Sequence, residues 1–347
     1  MSARRYRGLA LAIALLGVQL HTVAADITMF ELARESGLTL QWDPFRRIGA
    51  LQNGRDRLIF DLAAGDLVHN YARIVAENVV TYSEGVVFVS ESGAAVVREF
   101  FESAGEQAGA RVAAIVIDPG HGGRDPGASH SHLVDGEPVL LVEKDIVLRV
   151  SNDLLSLLSA RYPDRQVVVT RDKDMFLQLE ERVEIANAIE VDAATEIMVF
   201  VSVHANASLN PATYGYEVWY LPPEYGRTGL VSSDEVAEGS TSVVPLLNLM
   251  LDEEYTNESI NLAESILGAF DLSVGEQSRN LGLKEEVWFV VRNAKMPSVL
   301  VELGFLTNQE EALLMDDPEY LRRLTLGLYS GVTSFIQDFE ERYQNIE

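Results

Sequence analysis

Between residues 26 and 104 apolar positions come in short runs, Leu38–Trp42, Arg57–Asp61, Asn78–Tyr82 and Val86–Ser90, separated by turn residues such as Asn53-Gly54 and Ser83-Glu84-Gly85. Runs rich in β-branched and aromatic residues between such turns predict strands. Met29–Ser36 and Ala94–Ser103 carry apolar residues at helical spacing, so the region is expected to be a small β-rich module with helical ends. Residues 105–111, rich in Gly, Ala and Gln, read as a linker.

From Val112 the pattern changes to longer apolar runs alternating with helical stripes. Ala113–Ile117, Gln166–Thr170, Ile197–Val203, Gly215–Leu221 and Ser298–Val301 predict strands, and Val287–Val291 reads as extended. Lys144–Ala160, with Val147, Val150, Leu154, Leu157 and Leu158 on one stripe, predicts a helix; so do Leu177–Ile189, Ser259–Phe270 and Tyr320–Phe339. This alternation implies an α/β sheet with helices on both faces, spanning 112–342.

Three compositional facts narrow the function. The chain has no cysteine, which excludes disulfides, thiolate metal ligands and a cysteine nucleophile. Arg4, Arg5 and Arg7, the apolar stretch Gly8–Leu20 and the small residues Val23-Ala24-Ala25 read as a cleavable leader over residues 1–25. That stretch is too short to span a bilayer comfortably, so a periplasmic or secreted protein without a stable membrane anchor is expected. The net charge is −26, and −29 without residues 1–25, which hold three arginines and no acids. Such a chain is a poor partner for nucleic acid, which requires basic patches.

The chemistry is expected where strands end. In open α/β sheets, ligands collect outside the carboxyl ends of the strands. Ala113–Ile117 runs into Asp118-Pro119-Gly120-His121-Gly122-Gly123, Ile197–Val203 into His204-Ala205-Asn206, and Ser298–Val301 into Glu302-Leu303-Gly304. Two histidines and a glutamate thus share one rim, although they are far apart in sequence. Glu143, at the mouth of the helix that starts at Lys144, can face the same rim. Two histidines with one carboxylate make a three-ligand set for Zn²⁺. A second glutamate can then serve as general base toward water, a role that Glu302 fits. His130 and His132 follow none of these strands and read as surface histidines of a polar loop, and His69 has no partner in view.

Five segments in order carry a family resemblance: Asp118-Pro-Gly-His-Gly-Gly-Arg-Asp-Pro-Gly-Ala128, Glu143-Lys-Asp-Ile146, Val169-Thr-Arg-Asp172, Phe200-Val-Ser-Val-His-Ala-Asn206 and Pro297-Ser-Val-Leu-Val-Glu-Leu-Gly-Phe-Leu-Thr-Asn308. Together they resemble the zinc N-acetylmuramoyl-L-alanine amidases of the type-3 amidase family, over about residues 112 to 340. The resemblance implies a three-layer α/β/α zinc amidase domain, preceded here by the small β-rich domain. It also implies Zn²⁺ held by His121, Glu143 and His204, Glu302 as the catalytic glutamate, and peptidoglycan as substrate. Arg279 and Asn280 resemble a stretch near the family's substrate groove, with a solvated loop as the alternative. Asn206, two residues past a ligand, can orient substrate or support the ligand shell, or be purely structural. The rivals are a zinc exopeptidase acting on stem peptides and a wall-binding protein without catalysis.

Two departures from the family pattern stand out. An extra polar loop around His130–Glu137 makes Glu137 a competitor to Glu143 as ligand. Residues 222–258 hold eight acids against the single base Arg227, and a helix beginning near Val244-Pro245 would carry an apolar stripe ending in Glu253 and Glu254. This region reads as a regulatory insertion whose carboxylates reach the open side of the metal, to be displaced by a protein activator. A solvated hairpin followed by an ordinary packed helix is the alternative.

Overall fold

The computed structural model describes residues 26–45, 47–53, 56–69, 73–104, 110–134, 136–192, 195–227, 229–232 and 244–344. The expected leader 1–25 and residues 105–109 of the expected linker lie outside them.

The small domain begins with β1 (Ile27–Thr28) and α1 (Met29–Glu35), continues through β2 (Thr39–Asp43), β3 (Ile48–Asn53), β4 (Asp56–Asp61), β5 (Asp66–His69), β6 (Arg73–Ala76), β7 (Val80–Ser83) and β8 (Val86–Val89), and ends with α2 (Glu91–Ala104). Strands β2 to β6 form an antiparallel sheet in chain order, and β1, β8 and β7 form a second, three-stranded one. Helix α1 starts where it does because Thr28 and Glu31 form a reciprocal capping box, which satisfies amide groups at the helix start. Met29 and Leu32 of α1 and Val97 and Phe101 of α2 pack with Leu51, Leu58 and Phe60 on one face of the sheet. Strands β1, β3, β5 and β6 go beyond the four runs predicted above.

The large domain contains β9 (Arg111–Pro119), β10 (Ser129–Val134), β11 (Glu137–Val142), α3 (Glu143–Arg161), β12 (Gln166–Val169), α4 (Leu179–Asn187), β13 (Glu196–Asn206) and β14 (Tyr216–Tyr220). It continues with α5 (Val244–Ser273), β15 (Asn280–Glu285), α6 (Phe289–Asn293), β16 (Ser298–Phe305), α7 (Gln309–Asp316) and α8 (Pro318–Gln344). The sheet order is β12-β9-β13-β16-β14-β15. The first four strands are parallel; β14 lies antiparallel to β16, and β15 follows the direction of β14. Val147 and Leu154 of α3, Ile266 and Phe270 of α5, and Leu328 and Phe335 of α8 bury one face of this sheet. Val183 of α4 and Val290 and Val291 of α6 cover Val116, Phe200 and Leu300 on the other. The result is a three-layer α/β/α arrangement. Coverage on both faces explains why the central strands are continuous apolar runs rather than alternating ones.

Three expectations need correction. Val287–Val291 does not extend: its last three residues begin the short helix α6, because an apolar run this short carries no decisive period. The polar loop around His130–Glu137 is an antiparallel hairpin of β10 and β11. Within it His132 is buried, and its Nε2 lies 2.8 Å from the Leu306 carbonyl oxygen. The helix expected at Val244 and the one expected at Ser259 are one 30-residue helix, α5.

The first turns of α5 lie against the small domain. Leu247 and Met250, with Val231, pack on Ile48, Ala50 and Ile59, the face of the small sheet turned away from α1 and α2. Buried Arg227 ties the chain beyond β14 to α5 and β16: it donates to Asp252 Oδ1 (3.1 Å), Thr256 Oγ1 (3.1 Å) and Ser298 Oγ (3.1 Å). Among the described residues, no helix is long and apolar enough to cross a membrane.

Candidate metal centre and active-site cavity

The carboxyl end of β9 is held from below by charge. Buried Asp118 accepts from Thr170 Oγ1 (2.6 Å), Arg182 Nη1 (2.8 Å) and Ser202 Oγ (2.8 Å). Arg182 also donates to the carbonyls of Pro119 (2.6 Å) and His121 (2.5 Å), and fully buried Arg171 to those of Pro119 (2.9 Å) and Gly120 (2.6 Å). These bonds satisfy carbonyls that turn out of the sheet, and they hold His121 in the left-handed region at φ +57°. Such a conformation is uncommon for a residue with a Cβ and persists only where its surroundings enforce it.

His121, Glu143 and His204 meet above this end of the sheet. Glu143 Oε1 lies 3.1 Å from His121 Nε2 and 3.0 Å from His204 Nδ1. The same carboxylate accepts the Ala128 amide at Oε2 (2.7 Å) and the Ala205 amide at Oε1 (3.1 Å), which fix its plane. Asp125 Oδ2 lies 2.9 Å from His121 Nδ1. With Asp125 accepting the Nδ1 hydrogen bond, Nε2 is the nitrogen turned to the cluster. Two glycines make the crowding feasible. A Cβ on Gly120 would sit 2.3 Å from the His204 ring. One on Gly127, at φ +67°, would sit 2.4 Å from Glu143 Oε2.

The electrostatics follow from this packing. Burial alone would raise the Glu143 carboxyl, but the hydrogen bonds of His121 and His204 outweigh it and hold the group well below the usual carboxylate range. Burial works to lower His121, and Glu143 and Asp125 overcome it and raise it. Each of the three residues offers one ligand atom within 4.8 Å of the others. Two imidazoles and a buried carboxylate converging in this way fit a divalent cation: one ion would satisfy all three lone pairs, and the set is one that Zn²⁺ takes in catalytic sites.

Glu302 stands on β16 directly beside His204 on β13. It is buried, and among the described residues its Oε2 has no hydrogen-bond partner. Burial, with Glu143 and Glu217 nearby, pushes its carboxyl well above the ordinary value. His121, Glu143, His204 and Glu302 line one cavity of about 540 Å³, and the apolar side chains of Leu179, Trp288 and Phe289 line it too.

A family profile described as N-acetylmuramoyl-L-alanine amidase matches residues 115–334. The chain belongs to this amidase family. It is 30% identical over 237 residues to the probable N-acetylmuramoyl-L-alanine amidase AmiB of Haemophilus influenzae, covering 64% of this chain and 51% of that protein. With the Escherichia coli N-acetylmuramoyl-L-alanine amidase AmiA it shares 28% identity over 241 residues, 66% of this chain and 78% of that one. The chain thus spans about half the length of the first relative and more of the second. Among solved structures, N-acetylmuramoyl-L-alanine amidase AmiC2 of Nostoc punctiforme is similar at 28% identity and a TM-score of 0.47, over 66% of this chain and 99% of that one.

The remaining candidates of this amidase-family chain lie in different places. Asn206 lines the cavity. Arg279 is exposed and precedes β15, two strands away from Glu302 on β16, and is not part of the cavity wall. Glu137 is exposed at the start of β11, across the hairpin from Val134, and takes no part in the cluster. Glu253 and Glu254 do not reach the metal cluster as expected. Glu254 pairs with Arg57 of the small domain at 3.1 Å, and both acids line a polar recess between α5 and β2 to β4. The apolar stripe of α5 turns its carboxylates toward the small sheet because Leu247 and Met250 are buried there. Sequence reasoning missed Asp125, Arg171, Arg182 and Glu217. Only Asp125 and Arg171 lay inside the quoted motifs.

Proposed function

We propose that this protein hydrolyses the amide bond joining N-acetylmuramic acid to L-alanine in peptidoglycan, with Zn²⁺ held by His121, Glu143 and His204. The observation that carries the reading is buried Glu302, whose Oε2 has no partner among the described residues, beside the three-donor cluster in one cavity. Bound there, zinc would supply the positive charge that lowers the pKa of water towards about 7 and polarises an amide carbonyl.

The chain's own groups do the rest. Glu302 Oε2 accepts a proton from the attacking water and returns it to the nitrogen of the departing alanine. Asp125 fixes the His121 ring, and the Ala128 and Ala205 amides fix the Glu143 carboxylate, so the donors are oriented before anything binds. The apolar wall at Leu179, Trp288 and Phe289 suits the methyl groups on either side of the scissile amide and excludes water from that side.

The same reading places the protein in the periplasm or outside the cell, after removal of residues 1–25, and gives the 26–104 module a positioning role. Purified murein sacculi test the reaction. Released stem peptides with a free amino-terminal alanine support it, and stems shortened from the carboxyl end would replace it with an exopeptidase.

A further inference from the structure

Behind the cavity wall sits a second buried carboxylate that the mechanism above does not use. Glu217 is the register partner of Glu302 across the antiparallel β14–β16 pair, so the two side chains are neighbours on one face of the sheet. Glu217 is buried and lies outside the cavity lining, while Asn206 lies within it. Between them runs one bond: Asn206 Nδ2 donates to Glu217 Oε1 at 2.8 Å.

The orientation of the Asn206 amide is forced. The Ala207 backbone N–H can only donate, and it donates to Asn206 Oδ1 at 2.8 Å. The amide oxygen therefore faces Ala207 and the NH₂ group faces Glu217. A primary amide nitrogen has two hydrogens. Glu217 takes one, and among the described residues the other has no partner, on a side chain that lines the cavity. Burial raises the Glu217 carboxyl above its ordinary value, yet its carbonyl oxygen accepts the Asn206 bond whether or not the acid carries a proton.

We infer that Glu217 is a positioning residue that aims the second Nδ2 hydrogen of Asn206 at a carbonyl oxygen of the substrate beside the scissile amide. The inference rests on the amidase reading and adds a neutral donor to it, fixed in place before substrate arrives. A preorganised donor of this kind acts where charge develops on oxygen.

A double-mutant cycle on the zinc-loaded protein tests this, with a soluble muramyl peptide as substrate and zinc content and Tm measured for every variant. Asn206→Ala is expected to lower kcat on the order of 100-fold with zinc retained, the scale of losing one donor to a developing oxyanion. Glu217→Leu is expected to lower kcat roughly 10-fold or more with little change in KM, since the amide loses its anchor but not its presence. Glu217→Gln keeps an acceptor for Asn206 and loses no more than about threefold. The double variant Asn206→Ala with Glu217→Leu is expected to match Asn206→Ala within about twofold, because the two act through one bond. Losses that multiply in the double variant, or a Glu217→Gln loss equal to that of Glu217→Leu, overturn the inference while leaving the amidase reading intact. A wild-type protein that releases no peptide overturns both.

Discussion

Replacing Arg182 with methionine removes one partner of a buried pair whose side chains are 3% and 1% exposed. Breaking such a pair leaves Asp118 charged in the interior, a change of about 3–5 kcal/mol. Thr170 and Ser202 still donate to Asp118, so the lower end, about 3 kcal/mol, is expected. For a domain of this size each kcal/mol moves Tm by about 2–4 °C, which gives a fall of roughly 6–12 °C. Arg182→Lys recovers only part of it, because a single ammonium cannot reach Asp118, the Pro119 carbonyl and the His121 carbonyl together. Thermal unfolding by circular dichroism at fixed scan rate and saturating zinc is the assay, with zinc affinity measured in parallel. The freed His121 carbonyl predicts weaker zinc binding as well. A Tm within about 2 °C of wild type together with unchanged zinc affinity would refute the argument that this network holds the His121 turn.

Gly127→Ala should lose zinc while keeping the fold, because the new Cβ meets Glu143 Oε2 at 2.4 Å; metal analysis with circular dichroism checks it, and a wild-type zinc content contradicts it. Glu254→Ala should destabilise the docking of the small domain by about 1–3 kcal/mol by leaving Arg57 without this partner, without raising activity on sacculi. Faster limited proteolysis between the domains reads the first effect, and a gain in activity would restore the inhibitory role expected for this carboxylate. His132→Leu leaves the Leu306 carbonyl without its partner in a buried position, at about 1–3 kcal/mol. Chemical denaturation measures that loss, and a midpoint equal to wild type would show that another group takes the bond.

The parts of this structure that were readable in sequence are those where a strongly apolar strand runs into a residue that a core rejects. His121, His204 and Glu302 were visible for that reason, and Glu143 because a carboxylate opens the α3 stripe. What was not readable depends on contacts between distant segments. The burial of His132 needs the Leu306 carbonyl, far along the chain, although the pair Asp135-Gly136 between two β-rich runs is a recognised hairpin signal. The bonds from Arg171 and Arg182 to the β9 turn cross 51 to 64 positions of sequence, and no local pattern pairs their two ends. Helix α5 shows the same limit. Its apolar stripe does not by itself say whether it lies in the substrate cavity, as expected, or on the small sheet; the face carrying Ile48, Ala50 and Ile59 decides it. Glu217 reads as an ordinary strand residue until its register with Glu302 is known.

The central claim is that one zinc, held by His121, Glu143 and His204, and one proton-carrying glutamate, Glu302, cut the amide between glycan and stem peptide. The most direct measurement pairs metal analysis with mass spectrometry of murein sacculi digested by wild type and by Glu302→Gln. About one zinc per chain is expected in both proteins. Wild type releases intact stem peptides with free amino-terminal alanine, and Glu302→Gln releases none. Stem peptides released by Glu302→Gln at the wild-type rate, or a wild-type protein that binds zinc and leaves every stem attached, would contradict it.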